Sequence, residues 1–156
     1  MVEFYKEKVS TYLFIIWLTS LACIILLIAL LSQFTNHAVP LILGTKIIMF
    51  ILILFVTGAL FSFKALNISV NETQLIFGFG VFSKRIYLKN IEKIEIADYK
   101  FTNYWGYGIR FGFDGSIGYI PRAGRGIKIF VKDKRWPYFI ISAKPDELKQ
   151  MIEKHR

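Results

Sequence analysis

The feature that most constrains this chain is a long run without charge. Residues 9–45 contain no Asp, Glu, Lys or Arg, and within them residues 12–31 read YLFIIWLTSLACIILLIALL. Thirteen of those 20 residues are Leu, Ile or Phe. A bilayer core about 30 Å thick is crossed by about 20 helical residues, so the length fits a span. No polar stripe recurs every three or four positions, which argues against an amphipathic surface helix. At roughly −0.3 to −0.6 kcal/mol for each Leu, Ile or Phe, insertion is favoured by several kcal/mol. A second stretch, residues 47–63 (IIMFILILFVTGALFSF), is at the short end of the spanning range. It lengthens if residues 41–44 join it and Lys46 snorkels to the headgroups. Residues 32–40 between them are polar, and Pro40 suits a helix start. The expectation is a hairpin of two transmembrane α-helices. A signal peptide fits poorly, because the first run is too long and a second follows it. A buried helical pair would need a partner core that the rest of the chain does not supply.

Charge then sets an expected orientation. Lys6 and Lys8 precede the first stretch, Lys64 follows the second, and the connecting loop has no Lys or Arg before Lys46. Residues 65–156 hold 16 Lys+Arg against 9 Asp+Glu, a net +7. Basic segments stay on the cytoplasmic side, so both termini are expected there, in a multi-pass protein of the cell (inner) membrane. The expected division is a cytoplasmic N-terminal segment over 1–10, a membrane hairpin over 11–64 and a cytoplasmic domain over 65–156. Asn67-Ile68-Ser69 and Asn71-Glu72-Thr73 match the glycosylation pattern, which has no consequence on that side.

From Leu66 the period changes. Leu66, Ile68 and Val70 alternate with Asn67, Ser69 and Asn71, the signature of a half-buried strand. Asn71–Thr73 reads as a turn, with strands over 74–79, 84–88, around Ile91, Ile94 and Ile96, over 107–113, 116–121, 127–131 and 136–141. Asp114-Gly115 is a strong hairpin dipeptide, because both residues tolerate positive φ. About seven short strands with turns every 8–12 residues favour a small barrel or sandwich. The last element is helical. Pro145 opens it, Asp146 and Glu147 complement its dipole, and Leu148, Met151 and Ile152 share one side. It is expected to cap a barrel end, with His155 solvated or facing the dipole.

The order of these elements, a β run closed by one amphipathic helix, resembles pleckstrin-homology topology. The segment LNISVNETQLIFGFGVFSKRIYLKNIEKIEI is similar to the opening half of bacterial pleckstrin-homology-like domains. YWGYGIR, GYIPRAGRGIKIFV and SAKPDELKQMI resemble the second half, and a membrane hairpin ahead of the domain matches the membrane-anchored members. The resemblance covers roughly residues 66–155 and rests on ordering rather than on one motif. It implies a PH-like barrel of about seven strands, a prokaryotic source and a non-enzymatic module. Some relatives are linked to bacteriocin immunity or envelope stress.

Chemistry-bearing residues are scarce. One cysteine, Cys23, and two distant histidines, His37 and His155, exclude a disulfide framework and offer no metal centre. Gly106–Gly112 misses the dinucleotide spacing, and Gly124-Arg125-Gly126 lacks the Walker Lys-Ser/Thr pair. Bends and bulges of strands account for both. Glu92 and Glu95 could pair as carboxylates, but Lys89, Lys93 and Lys100 between and beside them make a solvated mixed-charge face. No catalytic residue, metal or cofactor is expected, and a membrane-tethered enzyme is the least supported reading.

The basic residues are the best functional lead. Lys84, Arg85, Arg122, Arg125, Lys134 and Arg135 all fall at strand ends or turns, where loops at one mouth of a barrel could gather them. Anionic headgroups attract such residues at roughly 1 kcal/mol each near the surface. Trp105 and Trp136 are candidate interfacial anchors. Ordinary positive-inside bias plus core aromatics explains the same pattern equally well. The expected partners are anionic lipid, a membrane protein or a second copy, and not nucleic acid. A protein–protein module such as an immunity or envelope-stress accessory protein, with no lipid ligand, is the alternative.

Overall fold

The computed structural model describes residues 3–11, 13–35, 47–48, 50–55, 58 and 63–156. The chain divides into two units: Met1–Thr11 with Phe63–Arg156, and Tyr12–Ser62.

The first unit is mostly β. One sheet is an antiparallel meander of β1 (Glu3–Ser10), β2 (Ala65–Asn71), β3 (Gln74–Phe79) and β4 (Phe82–Tyr87), in that order. The other contains β5 (Ile91–Asp98), β6 (Gly108–Phe111), β7 (Ile117–Ile120), β8 (Arg125–Val131) and β9 (Tyr138–Ile141), ordered β5-β8-β9-β7-β6. All its pairs are antiparallel except β7 with β9. A single 3-10 turn, Leu88–Asn90, joins the sheets, and a four-residue helix, α2 (Phe101–Tyr104), follows β5. The chain ends in α3, Pro145–His155. For numbering, α1 is Leu13–Thr35 of the second unit.

Period-two alternation makes the core. Leu66, Ile68 and Val70 of β2 and Leu75, Phe77 and Phe79 of β3 are all fully buried. Each such side chain contributes about 1.5–3 kcal/mol by leaving water. Phe77 meets Tyr119 and Tyr138 edge-on at 4.8 and 5.7 Å between ring centroids, an arrangement aromatic pairs prefer. Leu148 and Ile152 of α3 are fully buried, and Asp146 and Glu147 stand in its first turn as the dipole favours. His155 stacks on Phe4 at 4.4 Å, so it packs against β1.

Three sequence expectations change here. Glu3–Ser10, within the expected N-terminal segment, form β1, whose Tyr5 and Val9 are buried. Among the described residues the β unit has nine strands in two sheets of four and five rather than a barrel of about seven strands. Asp114-Gly115 does not make a two-residue hairpin: the Gly112 amide donates to the Ser116 carbonyl at 2.7 Å, closing a longer loop, and Asp114 Oδ1 accepts from the Ser116 amide at 3.1 Å. That side-chain turn shortens both flanking strands.

β1 and β2 are neighbours with Ser10 opposite Ala65. The Thr11 amide donates to the Lys64 carbonyl at 3.2 Å, and Thr11 Oγ1 donates to the Phe63 carbonyl at 2.7 Å. Residues 12–62 are therefore an insertion between paired strands, leaving and re-entering the β unit at adjoining points.

In the second unit α1 exposes Trp17, Leu21, Ile24, Ile25, Ile28 and Leu31. Side chains along it are described at Trp17, 20–29, Leu31 and Ser32. The second helical stretch is described only at 47–48, 50–55 and 58. Among the described residues no helix is long and apolar enough to cross a membrane. This corrects the expected two-span hairpin, and with it the integral-membrane character, the multi-pass inner-membrane location and the topology assigned to the termini. Asn36, His37, Pro40 and Lys46, on which the expected loop rested, lie outside the described residues.

Candidate functional site

The six basic residues singled out by the sequence do not form one cluster. Three of them do converge. Lys84 and Arg85 sit on β4, which ends its sheet and so has a ladder partner on one side only. Lys84 is paired with Phe77, and residues directly opposite on two strands share a face. Lys84 is thus on the core side of the sheet, and its place on the edge strand leaves it exposed. Lys134 arrives from the β8–β9 turn. That turn is tight: Asp133 takes a left-handed φ of 59° and the Lys134 amide donates to the Val131 carbonyl at 3.1 Å. The Lys132 amide donates to the Asn90 carbonyl at 2.8 Å, tying the turn to the segment that follows β4.

Lys84, Arg85 and Lys134 line one cavity of about 240 Å³ with Ile86, Tyr87, Asn90, Val131 and Tyr138. No carboxylate lines it. Among the described residues none of the three cations makes an ion pair or a side-chain hydrogen bond. Three like charges gathered around apolar walls repel one another, and an anion relieves that repulsion.

The other three cations are placed differently. The Arg135 guanidinium lies 5.3 Å from the Trp136 ring, within cation–π range, and Trp136 meets Phe111 edge-on at 6.1 Å. Arg125 lies 3.8 Å from both Asp98 and Asp146, so two carboxylates already face it. Arg122 is half-buried in the β7–β8 turn and lines neither cavity described here. Trp105 caps α2 in a left-handed conformation, φ 50°, with its amide donating to the Phe101 carbonyl at 2.7 Å. Its ring is exposed and its Nε1–H donates to the Thr102 carbonyl at 3.1 Å. No ring contact joins Trp105 to Trp136 among the described residues.

Two polar constellations were missed from the sequence. Glu7 of β1 accepts from Tyr5 Oη at 2.8 Å, Ser142 Oγ at 2.6 Å and the Ala143 amide at 2.5 Å. It fastens the edge of one sheet to the segment between β9 and α3. Burial, with help from Glu7, pushes the Tyr5 hydroxyl well above its ordinary pKa. A mixed-charge cavity of about 340 Å³ adjoins this contact, lined by Lys6, Lys8, Lys144 and Glu147 among others. The second constellation runs Tyr104–Ser116–Asp114–Lys128. Tyr104 Oη and Ser116 Oγ are 2.6 Å apart, Ser116 Oγ donates to Asp114 Oδ1 at 2.6 Å, and Lys128 Nζ donates to Asp114 Oδ2 at 2.7 Å. Burial alone would raise the Asp114 pKa, but these bonds, with Asn103, hold it well below the carboxylate range. Burial pushes Tyr104 up to about 12. Ser116 is fully buried, so a substrate has no route to it. The group is an internal brace for the β6–β7 loop. Among the described residues no set of His, Cys, Asp or Glu is gathered to hold a metal ion.

No family model, curated protein or solved structure matches the chain.

Proposed function

We propose that the β unit is a non-enzymatic binding module that docks on anionic lipid headgroups through the basic edge formed by β4 and the β8–β9 turn. The observation that carries this reading is the convergence of Lys84, Arg85 and Lys134 on one cavity that no carboxylate lines. Arg135 stacked near Trp136 adds a cation and an amphipathic ring on the same turn. A non-enzymatic module is also what the pleckstrin-homology resemblance implies. Arg122 and Arg125 are outside the proposed surface.

Flotation of the full-length chain tests it. Because α1 exposes apolar side chains, the readout is the difference between vesicles with and without phosphatidylglycerol, at low and high salt. At about 1 kcal/mol per basic residue, replacing Lys84, Arg85 and Lys134 together by Ala lowers the anionic preference by roughly two orders of magnitude. A preference unchanged by those replacements and by salt rejects the reading.

A further inference from the structure

We propose that the cavity between β4 and the β8–β9 turn is a binding site for a phosphate monoester. The inference rests on the reading above that this basic edge faces the ligand, and it adds the ligand's chemical class.

Size is the first argument. The cavity has a volume of about 240 Å³. A phosphate group and a few further atoms fill it, whereas drug-sized ligands occupy pockets of roughly 300–1,000 Å³. The ligand is compact, and a polymer would touch only the rim.

Charge is the second. Three cations line the walls without a carboxylate among them. A single carboxylate would leave two positive charges uncompensated, while a monoester dianion balances most of the excess. Lys84 and Lys134 supply mobile point charges, and Arg85, opposite Ile76 and so on the other face of β4, brings its planar fork round the open edge of the strand to two phosphate oxygens.

Donors for the remaining oxygens are the third. Asn90 and Tyr138 line the cavity, and neither side chain has a hydrogen-bond partner among the described residues. Tyr138 is held by packing against Phe77 at 5.7 Å, so its ring is fixed before any ligand arrives. As β4 ends its sheet, backbone amides directed away from β3 are free of ladder partners along the same edge. Ile86 and Val131 provide apolar walls, which strengthen the attraction by displacing water.

Calorimetric titration of the full-length chain in non-ionic detergent tests the site and its source. The probes are glycerol 3-phosphate, dioctanoyl phosphatidic acid (a monoester headgroup) and dioctanoyl phosphatidylglycerol (a diester headgroup). The expected result is that glycerol 3-phosphate and phosphatidic acid bind, and that phosphatidylglycerol binds at least tenfold more weakly. Lys84→Ala and Lys134→Ala should each weaken glycerol 3-phosphate roughly tenfold or more, the size of a lost charge-assisted contact. Arg85→Lys keeps the charge and the fold while removing the fork, and should weaken it severalfold. Equal binding of the two lipids with no response to glycerol 3-phosphate overturns the monoester site and leaves lipid docking standing. Binding of glycerol 3-phosphate without either lipid supports the site and overturns lipid docking. No binding of any probe, or binding that all three variants leave unchanged, overturns the site.

Discussion

Replacing Glu7 by Ala should release β1 from the β unit without unfolding the rest. The carboxylate accepts three hydrogen bonds, from the Tyr5 hydroxyl, the Ser142 hydroxyl and the Ala143 amide. A hydrogen bond to a charged group is worth about 1.5–3 kcal/mol when its partner is stranded. Here the surroundings are only part-buried, so water recovers a share of each bond. The sum is about 2–4 kcal/mol. β1 is an edge strand held on one side by β2, so the loss acts first on local opening rather than on the whole core. Hydrogen exchange of the full-length chain, read in peptides covering residues 3–10, gives the answer directly. An opening free energy reduced by 2–4 kcal/mol speeds exchange by roughly 30- to 1,000-fold. Peptides covering β8 and β9 should change little. Glu7→Gln keeps one acceptor oxygen and should fall between. Combined with Ser142→Ala, the double variant should cost less than the two single changes added, because both remove the same contact. Exchange in β1 within threefold of the parent chain would refute the account of Glu7 as the fastening of that edge.

Two further outcomes follow from the β unit. The Asp114 pKa is depressed in the folded chain, so its contribution to stability is present above the unfolded value near 4 and fades as pH falls through the folded one. Acid unfolding curves should therefore flatten below about pH 4 in Asp114→Asn, which lacks that group; identical slopes in both chains would contradict the brace. A Cβ on Gly126 would collide with the Ile140 carbonyl oxygen, a backbone atom that cannot turn aside, so Gly126→Ala should lower the urea midpoint by an amount equivalent to about 2–3 kcal/mol.

What could be read from the sequence follows the range of each signal. β2, β3 and β8 stand out because Leu66, Ile68 and Val70, then Leu75 and Phe77, then Ile127, Ile129 and Val131 alternate strictly with residues that need not be buried. β1 does not, because Glu7 occupies the position between Tyr5 and Val9 where the alternation calls for an apolar residue. The donors that satisfy its carboxylate, Ser142 and Ala143, lie far along the chain. Flanked by Lys6 and Lys8, the segment reads as the charged border of an apolar run. The parallel pairing of β7 with β9 leaves no local trace at all. The same limit governs the site. Lys84 with Arg85 and Lys134 with Arg135 are visible as cations at strand ends and turns. Their meeting depends on how the β8–β9 turn folds back toward β4. Arg125 looked equally free, but the β5–β8 register sets it opposite Asp98, and the start of α3 brings Asp146.

The two edges of the four-stranded sheet are managed by different means, and that contrast bears on the proposed site. An open edge strand invites pairing with another chain, and a charge turned toward the core side is one way to prevent it. At β1 the carboxylate of Glu7 is consumed by three protein donors, and the edge is closed by the molecule itself. At β4 the inward-facing group is Lys84, and among the described residues no protein acceptor meets it, nor Arg85, nor Lys134. Protection of the edge requires charge of either sign, whereas attraction of an anion requires positive charge. One cation on β4 would be enough to guard the strand; a third, supplied by a separate turn held in place by Asn90, adds nothing to that task. It is the recruitment of Lys134 from a different sheet that makes ligand binding the better account of this cluster.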